Sequence, residues 1–219
     1  MSAWETIRAA FRSPAIKGAW PVVLASPLLI VLSGYLAVTP IGTCSLLHGQ
    51  AIFALGLLGA VLAIPVLPFL LFSKKFRIHA LAWLFVCVIY AALTILGFGV
   101  GNKIRMRAFD DLAKRSQPLV KAIEDFTAAH GSPPPSLKNL VPDYLAAVPK
   151  TRMMSFPDYK YKVGKEAQRY EGNPWILSVP APSGGINFDE FYYFPLQNYP
   201  RNGYGGSLER IRNWAYLHE

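Results

Sequence analysis

The side chains able to do chemistry are few and scattered. The four histidines, His48, His79, His130 and His218, have no carboxylate or second histidine at the spacing a metal site uses. The two cysteines, Cys44 and Cys87, fall in a loop and in an apolar run. They are expected at different depths of a membrane, beyond the roughly 7 Å between Cα atoms that a disulfide allows. No Gly-x-Ser-x-Gly elbow, His-Glu-x-x-His pair or Walker loop is present. Gly97-Phe-Gly-Val-Gly101 has some of the glycine content of a dinucleotide loop, but it follows an apolar helix rather than a strand, so helix packing explains it better. No catalytic residue, metal ligand or cofactor is therefore expected, and the chain does not read as an enzyme. A site assembled only in three dimensions would bring His130 or His218 to Asp189 or Glu190.

A second concentration is aromatic. Tyr192, Tyr193, Phe194, Tyr199, Tyr204, Trp214 and Tyr216 crowd the last third of the chain. Two readings stay open. They fill the core of a sheet, or they form a face that binds a partner, since aromatic side chains anchor interfaces.

The elements that would carry these residues follow from the charge pattern. No Asp, Glu, Lys or Arg occurs between Pro21 and Phe72, and none between Ala80 and Gly101. Such gaps mark segments that face hydrocarbon, and three spans are expected at about 21–39, 51–72 and 80–100. Gly56 and Gly59 in the second, and the Gly97/Gly101 pair in the third, offer small surfaces for helix packing. The spans carry no ionisable residue, which argues against ion-coupled transport by this chain alone.

Net charge is +9, and the six basic residues beside the spans, Arg8, Arg12, Lys17, Lys74, Lys75 and Arg77, are opposed only by Glu5. Basic residues so placed set orientation and meet phospholipid rather than nucleic acid. They put the N-terminus and the turn after the second span on the cytoplasmic side. Three spans then carry the C-terminal region outside, to the periplasm of a bacterial inner membrane. Lys103, Arg105 and Arg107 oppose this placement, three against six.

Three regions result. Residues 1–17 form a cytoplasmic amphipathic segment, with Ser2 and Glu5 at capping-box spacing and Trp4, Ile7 and Phe11 on one face. Residues 18–101 form a three-helix anchor. Residues 102–219 form an α+β domain. The third span is expected to run on without a loop as far as Ala129, about 75 Å at 1.5 Å per residue. Phe109, Leu112, Leu119, Ile123 and Phe126 make its apolar stripe, Pro118 kinks or restarts it, and Gly131 caps it. Ser136 and Pro142 are each expected to open a short helix. Runs at 159–163, 175–179, 188–194 and 211–217 then read as strands of a small antiparallel sheet, with Gly203–Gly206 as a loop.

Pro118-Leu-Val-Lys-Ala-Ile-Glu-Asp-Phe126, Gly131, the proline run with Ser136-Leu137, Leu140-Val-Pro-Asp-Tyr-Leu145 and Val148-Pro149 resemble the major pseudopilins of type II secretion. The resemblance spans about residues 112–149 and implies a pilin-like domain, a long helix packed on a small antiparallel sheet and displayed outside the membrane. It also implies a place to look for calcium, in loop acids. Asn187, Asp189 and Glu190 are the one local cluster and match no specific site, so calcium is not expected. The chain departs from the family before its third span. Ser73-Lys-Lys-Phe76 has no glycine before the phenylalanine and no glutamate follows, so the prepilin-peptidase site is missing.

The leading expectation is a non-enzymatic membrane protein whose pilin-like domain anchors or scaffolds another envelope protein. The candidate partner-binding residues are Tyr192, Tyr193, Tyr199, Tyr204, Trp214 and Tyr216. The alternatives are an accessory subunit held in a larger membrane complex through Gly56, Gly59, Gly97 and Gly101, and an envelope sensor or enzyme.

Overall fold

The computed structural model describes residues 3–42, 44–182 and 188–219. Ser2 and Asn187, and with them the capping box and part of the acidic cluster, lie outside these residues, as do the side chains of Cys44 and His48. The chain divides into two compact units. One comprises residues 1–35 and 45–104, the other residues 36–44 and 105–219.

The first unit is helical. Helix α1 (Ala3–Phe11) is amphipathic and ends just before Pro14, which opens α2 (Pro14–Ala37). The Ser13 hydroxyl accepts the Ile16 N–H at 3.4 Å, the role of an N-cap. Helix α3 runs from Cys44 to Leu70, seven residues earlier than the span expected to start at Ala51. The segment from Cys44 to Gln50, read as loop, contains Gly49 as its one weak helix former before the apolar run and so joins the helix. Helix α4 is continuous from Arg77 to Arg115, about 58 Å long at 1.5 Å per residue. Among the described residues three helices are thus long and apolar enough to cross a membrane, the first of them near the N-terminus. Ala10, Ile16, Val23, Ala82 and Val86 form a core where α1 ends and α2 and α4 begin.

The second unit is α+β. Helix α5 (Gln117–His130) follows α4 after Ser116 alone. Pro118 sits in the first turn of α5, where its missing N–H breaks no bond that the new helix needs. Gly131 closes α5 in the left-handed region (φ 69°) and its N–H reaches the Thr127 carbonyl. Ser136 opens a 3₁₀ turn (Leu137–Leu140), with the Asn139 side-chain oxygen accepting from both its N–H and its hydroxyl. The helix expected at Pro142 does not form. The N–H groups of Tyr144 and Leu145 both turn back to the Leu140 carbonyl, so no helical ladder propagates.

Six strands, β1 (Lys160–Val163), β2 (Trp175–Pro180), β3 (Glu190–Tyr193), β4 (Asn202–Gly203), β5 (Gly206–Ile211) and β6 (Trp214–His218), make one antiparallel sheet in the order β1-β2-β3-β6-β5-β4. A short helix α6 (Lys165–Gln168) joins β1 to β2. The expected last strand, 211–217, is two strands, because the chain reverses at Arg212 (φ 58°) and pairs Ile211 with Trp214. The expected loop at 203–206 is likewise the tight turn of the β4–β5 hairpin. Tyr204 and Gly205 both have positive φ there, as the mirror-image hairpin turns require.

Period-two alternation gives this sheet two apolar faces. Leu177, Val179, Phe191, Tyr193, Trp214 and Tyr216 are buried on the face that meets Phe109 of α4. The Phe109 ring lies 5.0 Å from Phe191 and 5.2 Å from Tyr216. Ile176, Tyr192, Phe194 and Leu217 point the other way and form a second core with Ala167 of α6, covered by Tyr170, Tyr199, Tyr204 and Leu208.

Candidate functional site

The most organised polar constellation is buried under the first face. Arg105 lies one helical turn before Phe109, on the apolar stripe of α4, and is buried. Its Nε donates to the Tyr216 hydroxyl at 3.1 Å, and its terminal nitrogen reaches both that hydroxyl, at 2.6 Å, and the Ala181 carbonyl. The Tyr216 hydroxyl in turn donates to Asp189 Oδ2 at 2.9 Å, and Asp189 Oδ1 accepts the Glu219 N–H at 3.0 Å. The guanidinium also lies 5.2 to 5.5 Å from the ring centroids of Phe109, Phe156 and Tyr216, within cation–π range. Burial pushes the Tyr216 phenol up. Arg105 pulls it back and the Asp189 charge adds to the rise.

This network corrects the reading of Arg105 as a basic residue beside the membrane. The guanidinium belongs to the core of the second unit and says nothing about which side that unit occupies. The signal was available, since residues 105, 109, 112, 116, 119 and 123 share one helical stripe.

On the opposite face of the sheet a cavity of about 320 Å³ opens. The register explains its lining. Pro180, Glu190 and Leu217 are aligned across β2, β3 and β6, and Lys160 and Tyr192 flank Ser178 one pair along. By alternation all of these point away from α4 and α5, whereas Asp189, one residue earlier, turns inward to Tyr216. Tyr204 from the β4–β5 turn, Phe188 and Glu219 complete the wall. Glu190 Oε1 stands 3.8 Å from Lys160 Nζ. Burial raises the Tyr192 phenol first, and the neighbouring Glu190 carboxylate raises it further. Ser178, fully buried between Lys160 and Tyr192, has a hydroxyl with no hydrogen-bond partner among the described residues.

The six aromatic residues singled out from sequence therefore have different fates. Tyr193, Trp214 and Tyr216 are buried against the helices and Tyr192 is buried on the outer face, so these four do not form an exposed binding surface. Apolar alternation on both faces of the strands drives them inward. Tyr199 is a brace. Its ring stacks on Phe194 at 4.6 Å and its hydroxyl joins the Phe194 N–H to the Asn213 carbonyl. Tyr192 and Tyr204 are the two that line the cavity.

Each of the two domain histidines has a partner of its own. His218 Nε2 meets Glu209 Oε2 at 2.8 Å, and His130 stacks on Phe126 with Nδ1 at the Phe126 carbonyl. Among the described residues no three His, Cys, Asp or Glu side chains could hold a metal ion together.

In the first unit the four glycines are not equivalent. A Cβ at Gly56 would strike the Tyr90 hydroxyl, and one at Gly97 would meet Pro27 at 3.0 Å, so both sit in close helix contacts. Gly101 lies opposite Gly34, while Gly59 faces open space on a groove shared by Ala60, Trp83 and Cys87. Of the basic residues, Arg8 lies over the Trp4 ring and Lys75 over Phe76, both rings being exposed. Arg12, Lys17, Lys74 and Arg77 flank the starts of α2 and α4.

Comparison with protein-family models, with curated proteins and with solved structures finds no match to this chain.

Proposed function

We propose that this chain is a three-span inner-membrane protein of a bacterial envelope. Its N-terminus lies in the cytoplasm, and its α+β domain is presented in the periplasm to bind another envelope protein, without chemistry of its own. One observation carries the reading. The turn between α2 and α3 groups with the α+β domain, and the Met154 N–H donates to the Thr39 carbonyl at 3.0 Å. That contact favours one side of the bilayer for this uncharged turn and for the domain. The six basic residues at Arg8, Arg12, Lys17, Lys74, Lys75 and Arg77 lie at the other ends of the same helices, where cytoplasmic lysines and arginines belong. Moving Arg105 into the core removes one of the three charges that opposed the placement. The pilin-like resemblance over residues 112–149 supports a displayed binding domain rather than a filament subunit, since the peptidase site is missing.

The test is a sidedness map. Single cysteines at Lys75 and at Gly131, in a chain freed of Cys44 and Cys87, are reacted with a membrane-impermeant maleimide in intact cells made permeable only at the outer membrane. Labelling at residue 131 and protection at residue 75 is the expected pattern. The reverse pattern overturns the proposal.

A second reading has its own support. Gly59 opens on an apolar groove of about 350 Å³ between α2, α3 and α4, the kind of surface a partner helix uses. If the chain is held in a complex through its spans, Gly59→Leu should release it in gentle detergent. Unchanged co-purification removes this reading.

A further inference from the structure

We propose that the outer face of the sheet docks an extended segment of the partner protein that sets a lysine or arginine side chain against Glu190. This rests on the binding role proposed above and names the chemistry of the partner. Three observations carry it.

The first is shape. The cavity over Glu190 and Tyr192 shares Lys160, Pro180 and Pro182 with a second cavity of about 350 Å³ above Phe156 and Asp158. The two therefore meet at Lys160, Pro180 and Pro182 beside the edge strand β1, where an extended segment can lie against the sheet.

The second is charge. Asp189 is answered from below by the Arg105–Tyr216 network, and Asp158 bonds Lys150. That leaves Glu190 and Glu219 on the cavity wall against Lys160. The Lys160 side chain is 58% exposed and Glu190 only 18%, so the base can swing into water while the acid stays in place. An arriving cation meets an excess of carboxylate, and an anionic ligand meets repulsion.

The third is the wall. Tyr204 presents a half-buried ring on which an aliphatic stem or a guanidinium plane packs, over a floor closed by the buried Tyr192. Phe188, 72% exposed at the rim, has its backbone N–H fixed by Glu219 Oε2 at 2.9 Å. An exposed aromatic beside a pocket offers the kind of apolar area that interfaces bury.

The test uses the full chain in phosphatidylcholine nanodiscs, whose lipid carries no net charge. The probes are Nα-acetyl-L-arginine methylamide and Nα-acetyl-L-glutamate methylamide, read by saturation-transfer NMR. The arginine amide should receive several-fold more saturation than the glutamate amide. The excess should fall at high salt, shrink in Phe188→Ala and vanish in Glu190→Lys. Glu190→Gln, which keeps the shape of the side chain, should also lose most of the excess with an unchanged unfolding temperature. Equal saturation of the two amides, or an arginine signal that survives in Glu190→Lys, overturns the proposal. Both faces of a nanodisc are open to the probe. A failure here therefore leaves the sidedness map standing, and a reversed sidedness map leaves this result standing.

Discussion

Tyr216 and Leu217 are neighbours in β6, yet their side chains enter two different environments. Tyr216 turns toward α4 into a sealed layer of aromatic rings, where its hydroxyl joins Arg105 to Asp189. Leu217 turns outward to the cavity that holds Glu190 and Tyr204. Both faces are built from the same alternation of apolar residues, so hydrophobic pattern alone does not separate them. What separates them is the cover. Two helices with a continuous apolar stripe close the inner face. The single turn of α6 and the tyrosines at 170, 199 and 204 close only part of the outer one. A face covered by rigid helices stores stability, and a face covered by loop side chains leaves room for a ligand.

Substitutions on the inner face should break this contrast most severely. Phe109 touches Phe156, Phe191 and Tyr216, so Phe109→Ala leaves a cavity that the flanking helix and sheet cannot close. A loss of about 3–5 kcal/mol is expected, read as the midpoint of denaturant unfolding of the reconstituted chain. Arg105→Met comes next. It keeps most of the stem but removes the buried cation, leaving the one Tyr216 hydroxyl to serve both the Ala181 carbonyl and Asp189, at a cost of about 3 kcal/mol. Adding Asp189→Asn to that variant should recover part of the loss, because the buried negative charge is then gone. If the two changes are simply additive, the network is not a unit.

The outer face should respond weakly to the same kind of change. Tyr204 is half-buried and its hydroxyl reaches Glu171 at the surface, so Tyr204→Ala is expected to cost about 1 kcal/mol in unfolding. The arginine amide should nevertheless lose saturation at once, since a wall of the cavity is missing. A stability loss as large as that of Phe109→Ala would mean that both faces are core and that the contrast is false.

Much of this division was legible in the sequence, and the missing parts have physical reasons. Uncharged runs locate the apolar helices because so long a stretch without charge has few other uses, and Gly131 and Ser136 mark ends because their backbone roles are local. Arg105 was misread because charge is ordinarily a surface property, and only its register with Phe109 and Leu112 reveals burial. The start of α3 was misplaced because Cys44–Gln50 carries no breaker stronger than Gly49. The two hairpins of β4–β6 were missed because Tyr204 and Arg212, which bear positive φ, are not the residue types that signal such turns. The cavity was half visible. Tyr192, Tyr204, Asp189 and Glu190 were singled out from sequence, but Lys160, Phe188 and Leu217 join them only through strand register.

The smallest expected effect is at the surface of the inner layer, where Arg212 from the β5–β6 turn grips Asp110 of α4. Arg212 Nε and its terminal nitrogen both reach the carboxylate, the latter at 3.3 Å, and Lys114 adds a second cation at 2.9 Å. Arg212 first and Lys114 second hold the Asp110 carboxyl below the usual aspartate range. A depressed folded-state value means that the contribution is present above the unfolded-state value of about 3.9 and is lost as pH falls through the lower folded-state value. Asp110→Asn should therefore unfold slightly earlier than the unchanged chain at neutral pH, and the gap should close below about pH 4. The gap should also narrow with added salt, because the pair is exposed. If it persists unchanged in acid, the carboxylate acts through shape rather than charge. The turn that carries Arg212 would then be fixed to α4 by packing alone.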